Sequence, residues 1–301
     1  MTSATTPQSS QTRHHGIVVA VDGSPGSRLA TAWAARDAAL RHVPLTLVHV
    51  MPSTDIGPWL DIPDTEDYLA ERGRRAEDIL TEARDIATGY LAGDHGVTVD
   101  QLVLAGPKMP DLIDLSKDAD MMVVGCRGVS GLPGLLLGST SSGLVHHAHC
   151  PVAVIHEEDS SVDLADAPIV VGIDGSPASE LATAIAFDEA SRRGVVLVAV
   201  HTWMNSVDFV VDVPRGDMEA QADEELAQRL AGWCERYPDV VVRRVVGQDN
   251  PAHRLIEESR DAQLLVLGSH GRGGFAGLVL GSVSWAVTQV ARVPVIVARQ
   301  S

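Results

Sequence analysis

"IVVAVDGSPGSRLATAWAARDA", Ile17 to Ala38, decides the fold because the chain writes it twice. "IVVGIDGSPASELATAIAFDEA" starts at Ile169, and 14 of the 22 positions are identical without a gap. One long repeat of this kind is a duplicated domain, whereas a solenoid would repeat every ~20 to 50 residues. Each copy opens on a short β-branched run of the type buried on both faces of a parallel sheet. The strand is read to end at Asp22. Ser24 then serves as a helix N-cap with Pro25 at the first helical position, and Ser176 and Pro177 repeat the signal. Leu29, Trp33 and Leu40 fall on one face of that helix.

Working outward, "LTLVHVM" reads as a second strand. A Pro- and Asp-rich loop around Trp59 follows, then a longer helix with Ile79, Leu80, Ala83, Ile86, Ala87 and Tyr90 at helical spacing. The second copy answers with Leu226, Leu230, Trp233 and Tyr237. Both copies then run strand ("VTVDQLVL"; "VVVRRVVG"), helix, strand ("MMVVG"; "LLVLG"), glycine loop, helix and last strand ("PVAVIH"; "PVIVAR"). Alternating strands and helices imply an α/β fold: two tandem doubly wound parallel-sheet domains with right-handed crossovers. The expected limits are 16–156 and 169–301. Between them lies a linker, 157–168, with five carboxylates and no basic residue, and a tail at 1–15 is expected to be disordered.

Composition narrows the function. A chain of 301 residues, 45% hydrophobic, can bury two cores. Its 23 basic against 40 acidic residues give a net charge of −17, which argues against nucleic acid and anionic membranes as partners. Any anionic ligand must be held by local dipoles or single basic side chains. Cys126, Cys150 and Cys234 are odd in number and widely spaced, against a disulfide framework. With no apolar run near the ~18 to 20 residues of a membrane span and no hydrophobic signal core at the start, a cytoplasmic location is expected.

The second informative stretch is "VVGCRGVSGLPGLLLGSTSS", Val123 to Ser142, with five glycines after a buried strand. Such density points to a backbone held close to a ligand or turned left-handed, with a flexible loop as the plain alternative. Gly125, Gly128 and Gly138-Ser139 recur with identical spacing as Gly268, Gly271 and Gly281-Ser282, although the residues between differ, which argues against a merely flexible loop. Gly125 and Gly128 would let successive amides converge on an anion, and Gly138-Ser139 would open the last helix with its N-terminal amides and dipole. Ser139 and Ser141 add hydroxyl donors and Thr140 a backbone donor; Ser139 also reads as a plain helix cap. Asp22 and Asp174, at strand ends, can accept hydrogen bonds from ribose hydroxyls or a base amine, or be ordinary turn residues.

These residues resemble the universal stress protein family in its tandem-domain, ATP-binding bacterial form. The resemblance covers nearly all of the chain after the tail, and its carrier is the G-x2-G-x9-G-[ST] spacing found twice, each with an upstream Asp. It implies five strands per domain in the order 3-2-1-4-5, the adenine nucleotide alpha hydrolase-like arrangement, with domains pairing through their last strands. It also implies two ATP per chain, with or without Mg²⁺, an unidentified protein partner and a homodimer as an open possibility. Adenosine contacts fall on Asp22 and the backbone near Val50, and on Asp174 and Thr202. Triphosphate contacts fall on Gly125, Gly128, Gly138, Ser139 and Ser141 and on Gly268, Gly271, Gly281, Ser282 and Ser284, with Thr140 and Val283 beside them. Cys126 against Ser269, Arg127 against His270 and Val50 against Thr202 distinguish the two sites, with differences in affinity or redox sensitivity expected.

His146 and His149, at i,i+3 near the end of the last helix, look like a metal pair, but the second copy has no ligands there and histidines suit a helix C-terminus. His49 and His201 could orient the neighbouring loop. Neither glycine motif carries the GK[ST] of a P-loop, and no nucleophile–base pair is visible. The expected function is a nucleotide-dependent regulator of stress response or growth arrest with at most slow hydrolysis. The rivals are a slow Mg-dependent ATPase or nucleotidyl-transfer enzyme and a nucleotide-free scaffold.

Overall fold

The computed structural model describes residues 14–52, 66–91, 96–128, 137–156, 165–203, 215–272 and 280–299. Most of the expected N-terminal tail, the loop around Trp59, most of the acidic linker and the segments between the framing glycines lie outside the described residues. The first half runs β1 (Ile17–Ala20), α1 (Pro25–Arg41), β2 (Leu45–Pro52), α2 (Glu66–Tyr90), β3 (Val99–Gly106), α3 (Lys108–Leu115), β4 (Met121–Gly125), α4 (Ser139–His147) and β5 (Val152–Ile155). The second runs β6 (Ile169–Gly172), α5 (Pro177–Arg193), β7 (Leu197–Trp203), α6 (Arg215–Arg236), β8 (Val242–Gln248), α7 (Pro251–Glu258), β9 (Leu264–Gly268), α8 (Ser282–Val290) and β10 (Val295–Ala298).

Ile17, Val18 and Val19 are fully buried, as a β-branched run between two helical layers must be, and Ile169, Val170 and Val171 repeat this. All ten strands form one sheet in the order β3-β2-β1-β4-β5-β10-β9-β6-β7-β8. Each half is thus a parallel 3-2-1-4-5 sheet, and the halves join where β5 and β10 pair antiparallel, Ala153 opposite Ile296. The last-strand pairing implied by the resemblance is here made inside one chain.

The predicted helix starts hold. Ser24 Oγ accepts from the Ser27 amide at 3.2 Å, and Ser176 Oγ from the Ser179 amide at 3.2 Å, each with proline following. β1 stops at Ala20 rather than at Asp22. Val21 still donates to the Val48 carbonyl at 2.8 Å, but the chain then turns through Gly23, whose φ of +78° suits only glycine, as does that of Gly175 at +78°.

A buried cluster of two carboxyl groups and two guanidinium groups locks the halves together. α1 carries Asp37 and Arg41 one turn apart, and α5 carries Glu189 and Arg193 at equivalent places. Arg41 pairs with Asp37 at 2.8 Å and with Glu189 across the junction, while Arg193 pairs with Glu189 at 2.7 Å and reaches Asp37 at 2.9 Å. Burial and the neighbouring Glu189 push the Asp37 carboxyl up to about 7. Burial also works to raise Glu189, but Arg193 and Arg41 outweigh it and hold that carboxyl below the ordinary range. Such a cluster tolerates only one docking geometry, because a shift would strand a buried charge.

The last strands add a reciprocal contact. Arg299, just past β10, donates to the Val145 and Ala148 carbonyls at the end of α4, at 2.6 and 3.1 Å. His156, just past β5, sits within 2.9 Å of the Thr288 carbonyl in α8 and 3.1 Å of the Val293 carbonyl. A guanidinium such as that of Arg299 is favoured at a helix C-terminus.

Candidate functional site

In a 3-2-1-4-5 sheet the connections leave β1 and β4 on opposite sides, opening a crevice beyond their carboxyl ends. The chain has two such crevices. The first is lined by Asp22, Val50, Gly125, Arg127, Gly128, Gly138, Ser139, Thr140 and Ser141, together with Lys108. The second is lined by Asp174, Thr202, Gly268, His270, Gly271, Gly281, Ser282, Val283 and Ser284, together with Arg272 and Pro251. Of the candidate nucleotide contacts read from the sequence, Cys126 and Ser269 alone stay out of the linings. Both are buried behind them, and Ser269 Oγ lies 2.9 Å from its neighbour His270 Nδ1. The second crevice is the roomier, about 560 Å³ against about 70 Å³.

The framing glycines serve close approach rather than left-handed turns: none of the six has a positive φ. A Cβ on Gly125 would lie 2.6 Å from the Gly26 backbone, and one on Gly268 2.7 Å from that of Ala178, so strand ends β4 and β9 press directly on the first turns of α1 and α5. A Cβ on Gly128 would lie 2.4 Å from Asp22 Oδ2, and one on Gly271 2.6 Å from Asp174 Oδ2. The second glycine of each motif therefore keeps room for the aspartate that the sequence reading placed at the opposite end of the ligand. Gly138 and Gly281 lie against the loop backbone at residues 126–128 and 269–271.

Each aspartate is fixed. Asp22 Oδ1 accepts from the Ser24 amide at 3.0 Å and Asp174 Oδ1 from the Ser176 amide at 2.9 Å. Asp174 Oδ2 also accepts from the Arg272 amide at 2.9 Å. Burial works against the charge of Asp174, but the hydrogen bonds from Ser176, the Arg272 amide and Ser179 outweigh it and hold the carboxyl below its ordinary range. His49 Nδ1 lies 2.7 Å from the Val21 carbonyl and His201 Nδ1 2.7 Å from the Ile173 carbonyl, so these histidines orient the turns that carry the aspartates.

Several amides and hydroxyls have work other than anion binding. The Cys126 amide donates to the Ile155 carbonyl and the Gly138 amide to the Cys126 carbonyl, both at 2.7 Å; Ser269 and Gly281 repeat the pattern at 2.9 and 2.7 Å. Ser141 and Ser284, both buried, donate their hydroxyls at 2.6 Å to the carbonyls of Gly125 and Gly268, pinning α4 and α8 to the strand ends. At the phosphate end of each crevice the backbone donors are the first-turn amides of α4 and α8, which helix geometry leaves without an intrahelical acceptor. The helices open with Gly138 and Gly281 as N-caps making no side-chain cap bond, so Ser139 and Ser282 are first-turn residues rather than caps, exposed at the mouth.

The sequence reading missed Lys108. It is the first residue of α3, outside any motif, yet lines the first crevice with Nζ 3.5 Å from Thr140 Oγ1. The histidine pair also differs from expectation: α4 ends at His147, so His149 is off the helix, and His146 Nδ1 lies 2.7 Å from the Ser142 carbonyl with its ring against Trp285. All three cysteines are free thiols, and burial pushes Cys150 up to about 12. Among the described residues no helix is long and apolar enough to cross a membrane.

Comparison with known proteins agrees with this architecture. The sequence pattern of the universal stress protein family matches residues 14–156 and again 167–299. A universal stress protein of Mycobacterium tuberculosis (strain H37Rv) is 50% identical over 290 residues, spanning 95% of this chain and 97% of that one. One from Mycolicibacterium smegmatis is 46% identical over 286 residues, spanning 95% and 97%. The crystal structure of a universal stress protein from Archaeoglobus fulgidus superposes with a TM-score of 0.72 at 22% identity, over 96% of this chain and all of that one, and so speaks for the fold alone. With both halves matched and the relatives aligned end to end, the chain belongs to the universal stress protein family.

Proposed function

We propose that the chain binds one adenine nucleotide, ATP, in each crevice and acts as a nucleotide-responsive regulator of stress response or growth arrest. The observation that carries this reading is the pairing, at both switch points, of a fixed carboxylate with the open N-terminus of a helix across a glycine-walled gap. A carboxylate accepts hydrogen bonds and repels phosphate, so Asp22 and Asp174 suit ribose hydroxyls or the base amine. Helix amides and the macrodipole suit phosphate. A ligand with a donor-rich sugar at one end and an anion at the other fits in only one orientation, and a nucleotide is such a ligand.

Binding is favoured over turnover by the same inventory. Amide and dipole contacts grip ground-state phosphate, whereas hydrolysis needs groups that act more strongly on the transition state. The regulatory role and a cytoplasmic setting rest on family membership, and Mg²⁺ would accompany the phosphates rather than be held by a dedicated protein cage. Mass spectrometry of small molecules released from the denatured, purified protein tests the reading. About two ATP per chain are expected; no bound nucleotide and no titratable affinity would favour a scaffold with glycine loops built for packing.

A further inference from the structure

We infer that the two crevices select for phosphate charge differently: the first favours polyphosphorylated adenine nucleotides, and the second takes mono- and polyphosphorylated forms with little preference. This rests on the nucleotide reading above. The halves align in this region with one constant offset. Gly125 matches Gly268, and Leu112, buried one turn into α3, matches Leu255 in α7. The same offset places Lys108 opposite Pro251, and Thr140 opposite Val283.

All four side chains line their crevices, so the exchange changes the wall a phosphate would meet. In the first half the Lys108 ammonium stands 3.5 Å from the Thr140 hydroxyl, over the N-terminus of α4. A cation and a hydroxyl there add to the helix dipole. In the second half the same positions hold a proline, which lacks even an amide proton, and a valine. The helix N-terminus and its leading serine, Ser139 or Ser282, are common to both halves and cannot produce a difference between them. Arg127 against His270 leans the same way.

The second crevice does have a cation of its own, Arg272, but at the other end. Its guanidinium lies with that of Arg229 against Gly175, on the turn that carries Asp174. It offsets the aspartate rather than adding charge where the terminal phosphates would lie. The narrower volume of the first crevice is no bar, because Lys108 is an exposed side chain on a long flexible stem that can move for an entering ligand. Each added phosphate charge near one exposed ammonium is worth a modest, salt-screened gain, so the preference should be about tenfold at low ionic strength and shrink as salt rises.

The test isolates each site in the full chain, with Gly271→Val leaving the first crevice and Gly128→Val leaving the second. Equilibrium dialysis with labelled ATP and AMP at low and high salt then gives the ATP-to-AMP affinity ratio for each. The first crevice should favour ATP by about tenfold, and Lys108→Met with Thr140→Val should bring that ratio close to one. Pro251→Lys with Val283→Thr should raise the ratio in the second. Equal ratios in the two isolated crevices, or a first-crevice ratio indifferent to the Lys108 and Thr140 exchange, would overturn the inference and leave nucleotide binding intact. Failure of both crevices to bind either nucleotide would overturn the nucleotide reading and this inference with it.

Discussion

Replacing Gly271 with alanine should weaken ATP binding in the second half while leaving the fold nearly untouched. The new Cβ would sit 2.6 Å from Asp174 Oδ2, closer than any stable contact, and no backbone atom crowds it as closely. The side chain must therefore yield. Its Oδ1 is tied to the Ser176 amide at 2.9 Å and acts as the pivot, so Oδ2 moves away from the Arg272 amide, also 2.9 Å distant. A displacement of about 0.5 Å carries that bond to about 3.4 Å, beyond the ~2.7 to 3.2 Å of a normal N–H···O contact. Hydrogen bonds to charged groups are worth roughly 1.5 to 3 kcal/mol. Asp174 is only half-buried, so solvent screening places this one near 1 kcal/mol. In stability that is about 2 to 4 °C in a protein of this size. Binding suffers the same distortion and the loss of the ribose-facing geometry, for an expected affinity drop of about tenfold, equivalent to about 1.4 kcal/mol. Equilibrium dialysis in a Gly128→Val background, beside a thermal melt, reads both quantities. Affinity within twofold of the parent would refute the reasoning, as would a loss of binding accompanied by a collapse in melting temperature.

Gly268→Ala should behave in the opposite sense, because its Cβ meets the Ala178 and Ser179 backbone at 2.7 to 2.8 Å; we expect a stability loss of about 1 to 3 kcal/mol in urea titration, and a neutral result would contradict the close approach of β9 to α5. Ser284→Ala removes the 2.6 Å donor to the Gly268 carbonyl and should cost about 1 kcal/mol by the same titration. The junction should respond to pH through Asp37. Its carboxyl sits at about 7 in the folded chain against an ordinary 3.8, so the folded form keeps a proton that the unfolded form releases. The stability it supplies is full below about pH 4, declines as pH rises to about 7 and is level above that. Asp37→Asn should remove this decline, so the parent-minus-variant melting difference should slope downward between pH 5 and 7; a flat difference would count against a protonated Asp37.

Much of this was legible because duplication turns weak signals into strong ones. Ser24 with Pro25 is an ordinary helix start, and its recurrence as Ser176 with Pro177 made both secure. The framing glycines were readable as a constraint, but not which constraint. Only coordinates show that Gly125 meets Gly26 backbone while Gly128 meets the Asp22 carboxylate. Lys108 escaped because nothing local marks it: the crossover from β3 brings it to the crevice, and no motif surrounds it. Asp37 and Arg41 look in sequence like a solvent-exposed i,i+4 pair. Their burial follows from the β5–β10 junction, which sets α1 against α5 and which the strands' own composition does not announce. The hydroxyls of Ser141 and Ser284 were read as pointing to a ligand, yet each donates to the carbonyl of the strand end itself, while Ser139 and Ser282 stay exposed at the mouth.

The most direct test of the central claim is a crystal structure of the chain grown with excess ATP and Mg²⁺. The account predicts nucleotide in both crevices, with ribose or adenine against Asp22 and Asp174 and phosphates over the first turns of α4 and α8. Two empty crevices under saturating nucleotide, or nucleotide bound elsewhere with those helix ends facing only solvent, would contradict it.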